Sequence, residues 1–184
     1  MKLDQHAPRL AVPVSARDHA QGPADAAVTL VEYGDYECPY CGKAYPVVKA
    51  IQQRMGDSLR FVFRNFPINT VHEHAGVAAQ AAEAAAAQGK FWEMHDLLYE
   101  NQDGLAEADL HQYALKIGLE IYRFDADLSS EIFARRVRED FRGGLRSGVN
   151  GTPTFFINGV RYNGEKELEP LLAAVQGAAE ERKE

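Results

Sequence analysis

Two cysteines, Cys38 and Cys41, enclose Pro39 and Tyr40, and the chain has no others. At the start of a helix a C-x-x-C pair can put both sulfurs on one side of the first turn. They are then close enough to bond, and a disulfide can form and open without the fold moving. The first thiol stands where unpaired backbone N–H groups and the helix dipole favour negative charge. That field is expected to lower the pKa of Cys38, each unit favouring the thiolate by about 1.4 kcal/mol. Cys41, one turn further in, is expected to be more buried and less acidic, which suits a resolving thiol. A competing reading is half of a zinc site, but structural zinc needs four ligands. There is no second cysteine pair, and His72 and His74 are poorly spaced to complete one. Two inert buried cysteines is a further reading, hard to reconcile with a proline between them at a helix start. No metal is therefore expected.

Two other stretches carry residues of the right kind. In Gly151-Thr152-Pro153-Thr154 a proline opens a strand, where it lacks a ladder donor. A cis Thr152–Pro153 bond would turn the Thr152 backbone outward, toward the cysteines and an extended substrate backbone. An ordinary trans proline at a strand edge is the alternative, and by frequency alone the commoner one. Glu32 precedes Cys38 by six residues on an apolar run. If buried there, its pKa would rise and it could exchange protons with Cys41; at a strand edge it would simply face water. Phe91, Trp92 and Met94 read as core packing, and His95 as a structural histidine. His72, Glu73 and His74 could approach the cysteines, with a helix-cap role preferred. Arg135, Arg136 and Arg138 read as a solvated helix face. With no Gly-rich phosphate loop, no bound nucleotide is expected.

These residues need elements to hold them. Residues 27–34 (AVTLVEYG) form a mostly apolar run bounded by turn residues, which suits a central buried strand. A helix is expected over about 38–55, with Pro39 in its first turn, where a missing N–H is harmless, and Pro46 inside it. Val47, Val48, Ile51 and Met55 share one face. Residues 59–66 (LRFVFRNF) form the next strand, so the cysteine pair lies at the first strand-to-helix junction of a βαβ unit with parallel strands. Helices are expected over 75–88, rich in alanine, over 91–99, over 107–117, and from a cap at Asp125 or Asp127 to about Phe141. Residues 153–157 form a strand, Asn158-Gly159 a hairpin turn and 160–162 its return. A last helix over about 167–179 and a charged tail close the chain.

With 184 residues, 46% hydrophobic and 26% charged, the chain can bury a core as an ordinary globular protein. A formal net charge of -7 argues against nucleic-acid binding. No run is long enough for a transmembrane helix, so no membrane insertion is expected. The first residues lack a signal-like apolar run, which gives a cytoplasmic expectation, or a periplasmic or extracytoplasmic one if a signal has been removed.

The segments VTLVEYGDYECPYC, FRNFPI, GKFWEMHDLLYENQ and GVNGTPTFFINGV resemble the DsbA-like branch of the thioredoxin superfamily, over nearly the whole chain from about Gly22 to Gly177. The resemblance implies an α/β class: a thioredoxin fold with an inserted helical domain. The corresponding division is an N-terminal arm (1–24), the first part of the fold (25–70), the helical insertion (71–146) and the second part (147–184). It implies Cys38 as nucleophile, Cys41 as resolving thiol, Pro153 as a cis-proline with Thr152 beside it, and Glu32 as a buried acid. Pro39 and Tyr40 join Thr152 and Pro153 on the substrate side. The chain departs from the best-known periplasmic oxidants of the family at Tyr40, where they carry a thiolate-stabilising histidine. The CPYC sequence is glutaredoxin-like.

The expected activity is thiol–disulfide exchange with protein thiols or disulfides through a mixed disulfide. It requires no cofactor beyond the Cys38–Cys41 disulfide itself, and a redox partner to reset it. A glutathione-linked reductase or transferase, and a non-enzymatic peptide- or metal-binding module, are the alternatives.

Overall fold

β-Branched and aromatic residues dominate the two segments that flank the cysteine helix, and both become fully covered strands. In the computed structural model, which describes residues 7–181, β1 is His19–Gln21, β2 Val28–Gly34 and β3 Leu59–Asn65. The N-terminal end of the arm (1–6) and the end of the charged tail (182–184) lie outside the described residues. Between β2 and β3 runs α1, Pro39–Met55, followed by a short 3-10 turn. Five helices follow: α2 Ala75–Ala86, α3 Phe91–Glu100, α4 Glu107–Lys116, α5 Ile121–Leu128 and α6 Glu131–Arg146. The chain closes with β4 Thr154–Ile157, β5 Val160–Arg161 and α7 Leu168–Glu180. The described residues thus form a thioredoxin fold with helices inserted between β3 and β4.

Two compact units make up the chain. The first takes in everything up to Gly34, Lys43–Arg64 and everything from Gly143 onward. It holds the sheet, in the order β1-β3-β2-β4-β5. β2 is therefore central, and Val28, Leu30, Val31 and Tyr33 are all fully buried, so both faces of the strand are covered. β4 runs antiparallel to it, with Glu32 opposite Phe155 and Tyr33 opposite Thr154. Asn158 and Gly159 both take positive φ, 48° and 80°, and turn β4 into β5. Asn158 also accepts from the Thr29 N–H through Oδ1 at 2.9 Å. α7 packs on β2 and β4. Arg64 is buried and grips Asp18, Tyr33 Oη and the carbonyls of Val12 and Pro13, which ties the N-terminal segment to β3.

The second unit comprises Asp35–Gly42 and Asn65–Arg142. Its middle is α2, whose buried alanines, 75, 78, 79, 81, 82, 84 and 85, spread over more than half of the circumference. Small side chains let α3, α4 and α5 all approach it. The single helix expected up to Phe141 is two helices here. The Glu120 carboxylate caps α5 by accepting from the Tyr122 and Arg123 N–H groups, so the helix starts ahead of either aspartate. Ser129 and Ser130 then end it, their hydroxyls donating to the carbonyls of Asp125 and Asp127. α6 in turn continues past Gly143-Gly144 to Arg146. Arg136 is not part of a solvated face: it pairs with the buried Asp140, whereas Arg135 stays exposed beside Glu139.

Candidate functional site

Asp35-Tyr36-Glu37 make the turn between β2 and α1, and each is held by a residue far along the chain. The Asp35 carbonyl accepts from the Cys38 N–H at 3.2 Å, and the Cys38 carbonyl accepts from Gly42 N–H at 3.0 Å, so Cys38 heads the first turn of α1. Gln102 clamps that turn: its Nε2 donates to the carbonyls of Tyr36 at 2.7 Å and Cys38 at 2.9 Å. A glycine at 42 is required for this, because a Cβ there would collide with the Gln102 amide. Tyr36 is buried against Tyr99 and His95, with its hydroxyl 3.1 Å from His95 Nδ1. His95 thus has the structural role its neighbours suggest.

Both cysteines are buried. Cys41 is wholly covered, while Cys38 keeps 4% of its surface exposed. Pro39 and Tyr40 project outward, Tyr40 at 68% exposure. On α1 the buried stripe is Cys41, Ala44, Val48 and Ile51; Val47 and Met55 are only half-buried.

The segment before α2 meets this turn through two acid–histidine pairs with the same separation along the chain, 37 residues. The Asp35 carboxylate is completely buried. It accepts from the N–H groups of Glu37 and Ile68, and its Oδ2 lies 2.8 Å from His72 Nδ1. The Glu37 carboxylate accepts from the His74 N–H at 2.6 Å and lies 3.1 Å from its Nδ1. His74 occupies the N-cap position of α2 but makes no side-chain cap bond; its ring is turned to Glu37 instead, so the cap role expected for this segment is not made. Burial pulls the His72 imidazole down. The hydrogen bond to Asp35 and the charges of Asp35, Cys38 and Glu37 outweigh it, and its pKa stands above the ordinary value. Sequence reading missed Asp35, Glu37 and Gln102. The D-x-E ahead of the cysteines was visible, but nothing local tells that its partners lie so far along the chain.

The remaining sequence-selected residues sit in the sheet unit. Glu32 is 3% exposed, inside the covered central strand. The Thr152–Pro153 peptide is cis. Lys166 Nζ donates to the Pro153 carbonyl at 2.6 Å, and Thr154 Oγ1 to the Gly151 carbonyl at 2.7 Å, which pin the segment from both sides. Lys166 gave no signal in the sequence.

Residues 15–177 match the family model described as Thioredoxin. Among solved structures, a thioredoxin-like oxidoreductase from Silicibacter pomeroyi DSS-3 is 28% identical, with a TM-score of 0.77 over 90% of this chain and 94% of that one. Oxidised BdbD from Bacillus subtilis shares the fold at 24% identity, with a TM-score of 0.81 over 95% and 97% of the two chains. A curated relative, the Na(+)/H(+) antiporter NhaA 1 of Salinispora arenicola, is 50% identical over 170 residues, 92% of this chain. The chain spans about a quarter (26%) of that relative's length, so the antiporter name describes the longer protein. Among the described residues no helix is long and apolar enough to cross a membrane. The chain belongs to the thioredoxin family and shares its fold with the thioredoxin-like oxidoreductase of Silicibacter pomeroyi and with BdbD.

Proposed function

We propose that the chain is a thiol–disulfide oxidoreductase that exchanges a Cys38–Cys41 disulfide with protein thiols. The observation that carries this reading is the pair of cysteines on the first turn of α1, one fully covered and one with a small exposed edge. In the oxidising direction a substrate thiolate attacks Cys38 Sγ. The substrate–Cys38 bond forms, the Cys38–Cys41 bond breaks, and Cys41 leaves as a thiolate that takes a proton. A second substrate thiolate then attacks the substrate sulfur and releases the Cys38 thiolate. Two electrons have passed from the substrate dithiol to the enzyme, and a redox partner must remove them. In the reducing direction Cys38 attacks a substrate disulfide and Cys41 resolves the intermediate. No cofactor enters either direction.

The other roles are part of the same proposal. Glu32 serves as the acid–base group for Cys41, supported by its burial on β2. Pro39, Tyr40, Thr152 and Pro153 receive the substrate backbone, supported by the exposure of the first two and the pinned geometry around Pro153. The cytoplasmic expectation favours the reducing direction; a periplasmic or extracytoplasmic setting favours the oxidising one.

Insulin reduction by dithiothreitol tests the reading. Wild type is expected to accelerate it and Cys38→Ser to be inactive, while Cys41→Ser accumulates the mixed disulfide. Equal activity in wild type and Cys38→Ser would refute it. A second reading, exchange with glutathione, is favoured by Tyr40, exposed between the two cysteines. It requires a glutathione adduct on Cys38 in Cys41→Ser, detectable by mass.

A further inference from the structure

A tyrosine side chain has no cationic form, so the residue between Pro39 and Cys41 cannot provide a cation for the Cys38 thiolate. Another ionisable group is tied to the same turn. His72 is carried by the segment ahead of α2, and its own N–H donates to the Ile68 carbonyl at 3.0 Å. The Ile68 N–H in turn donates to Asp35 Oδ2, the same oxygen that lies against His72 Nδ1. Asp35 also holds the backbone of Cys38 through its carbonyl. One residue therefore fixes both the imidazole and the cysteine, and the ring is 18% exposed, largely withdrawn from solvent.

We propose that the Asp35–His72 pair is the positioning device of this exchange site, holding a cationic imidazole toward Cys38 and favouring its thiolate in place of a charged residue at position 40. The inference rests on the exchange reading above. The physical argument is geometric: the carboxylate against the imidazole belongs to the residue whose carbonyl accepts from the Cys38 N–H, so a proton on the ring stands beside the turn that carries Cys38. A cation there and a thiolate at Cys38 favour each other by the same free energy. Asp35 favours the protonated ring and aims it. The other charged groups bearing on His72 are Asp35 and Glu37, both acidic, and Glu37 is itself engaged by His74. Through the reduced form the pair also sets the potential, because a stabilised thiolate makes the disulfide more oxidising.

The test is the Cys38 thiolate absorbance near 240 nm against pH in a Cys41→Ser background. His72→Gln is expected to raise the midpoint by about one pH unit. In the intact pair it is expected to cut the glutathione equilibrium about tenfold toward the disulfide, about 30 mV more reducing. His74→Gln, which leaves Asp35 and His72 in place, is expected to move the midpoint far less. An unchanged midpoint in His72→Gln, or equal shifts in both variants, overturns the inference.

A measurement on the wild-type chain covers the case of a variant that does not fold. The His72 ring titration by NMR is expected to have a higher midpoint in the reduced protein than in the disulfide form; identical midpoints overturn the inference. If insulin reduction depends on Cys38 while the His72→Gln midpoint stays put, the exchange reading survives and this inference alone falls.

Discussion

The Gln102 side chain donates to the Cys38 carbonyl at 2.9 Å, from a position 64 residues further along the chain. The same Nε2 holds Tyr36, so one amide fixes both ends of the turn that presents the cysteines. Its removal in Gln102→Ala strands two carbonyls and is expected to cost about 1–3 kcal/mol of stability. Exchange should slow as the turn loosens. Gly42→Ala should reproduce the defect, because the new Cβ displaces the same amide. Urea unfolding together with insulin-reduction rates checks both; a full-rate, full-stability Gln102→Ala would show that the clamp is idle.

A pH effect on stability is expected from Asp140. It is buried, accepts from the Asn65 N–H at 3.1 Å and pairs with Arg136. Burial raises its pKa most, Glu83 adds to the rise, and Arg136 and the Asn65 N–H oppose it, leaving the group at about 6 against an ordinary 3.8. The native state therefore holds its proton more tightly than the unfolded chain. This contribution is present in full below the ordinary pKa and is lost as pH rises toward 6, a total of about 2–3 kcal/mol. Asp140→Asn lacks the term. The stability of wild type minus that of the variant, from urea unfolding, should decline across this window and be flat above it; a flat difference throughout would exclude the shift.

Arg64 is nearly fully buried and forms a two-contact pair with Asp18, at 2.7 and 3.2 Å. Arg64→Ala takes the guanidinium from a buried carboxylate and leaves the Val12 and Pro13 carbonyls without their donor. A loss of about 3–5 kcal/mol is expected. Limited proteolysis should then cut within residues 8–18, where the wild-type chain is expected to resist. Unchanged proteolysis would mean that the N-terminal segment is held by other contacts.

The β4–β5 turn gives a prediction about backbone freedom. Gly159 sits at φ 80°, where a β-branched side chain is strained, although a Cβ would meet no neighbour. Gly159→Val is expected to cost about 1–2 kcal/mol from that strain alone, while Gly159→Asn should cost less. Thermal unfolding midpoints of the two variants separate the cases, and equal midpoints would remove the argument.

Residue types, spacing and periodicity determined where most elements lie. The apolar run of β2, Pro39 at the head of α1, the alanines of α2 and the Asn158-Gly159 turn each state their conformation within a few residues, because local sterics and backbone hydrogen bonding decide it. They also singled out Cys38 and Cys41, whose proposed chemistry follows from their separation by one helical turn. The break between α5 and α6 was not legible, since Ser129 and Ser130 end the helix by a hydrogen-bonding choice that serine makes only in some contexts. Nor was the setting of the cysteines. Asp35 against His72, Glu37 against His74 and Gln102 against Cys38 join residues far apart in the chain, and no periodicity encodes a pairing whose distance is set by how intervening helices pack. Tertiary structure alone decided that the histidines ahead of α2 face the acids of the cysteine turn, because a hydrogen bond between side chains is made through space and not along the sequence.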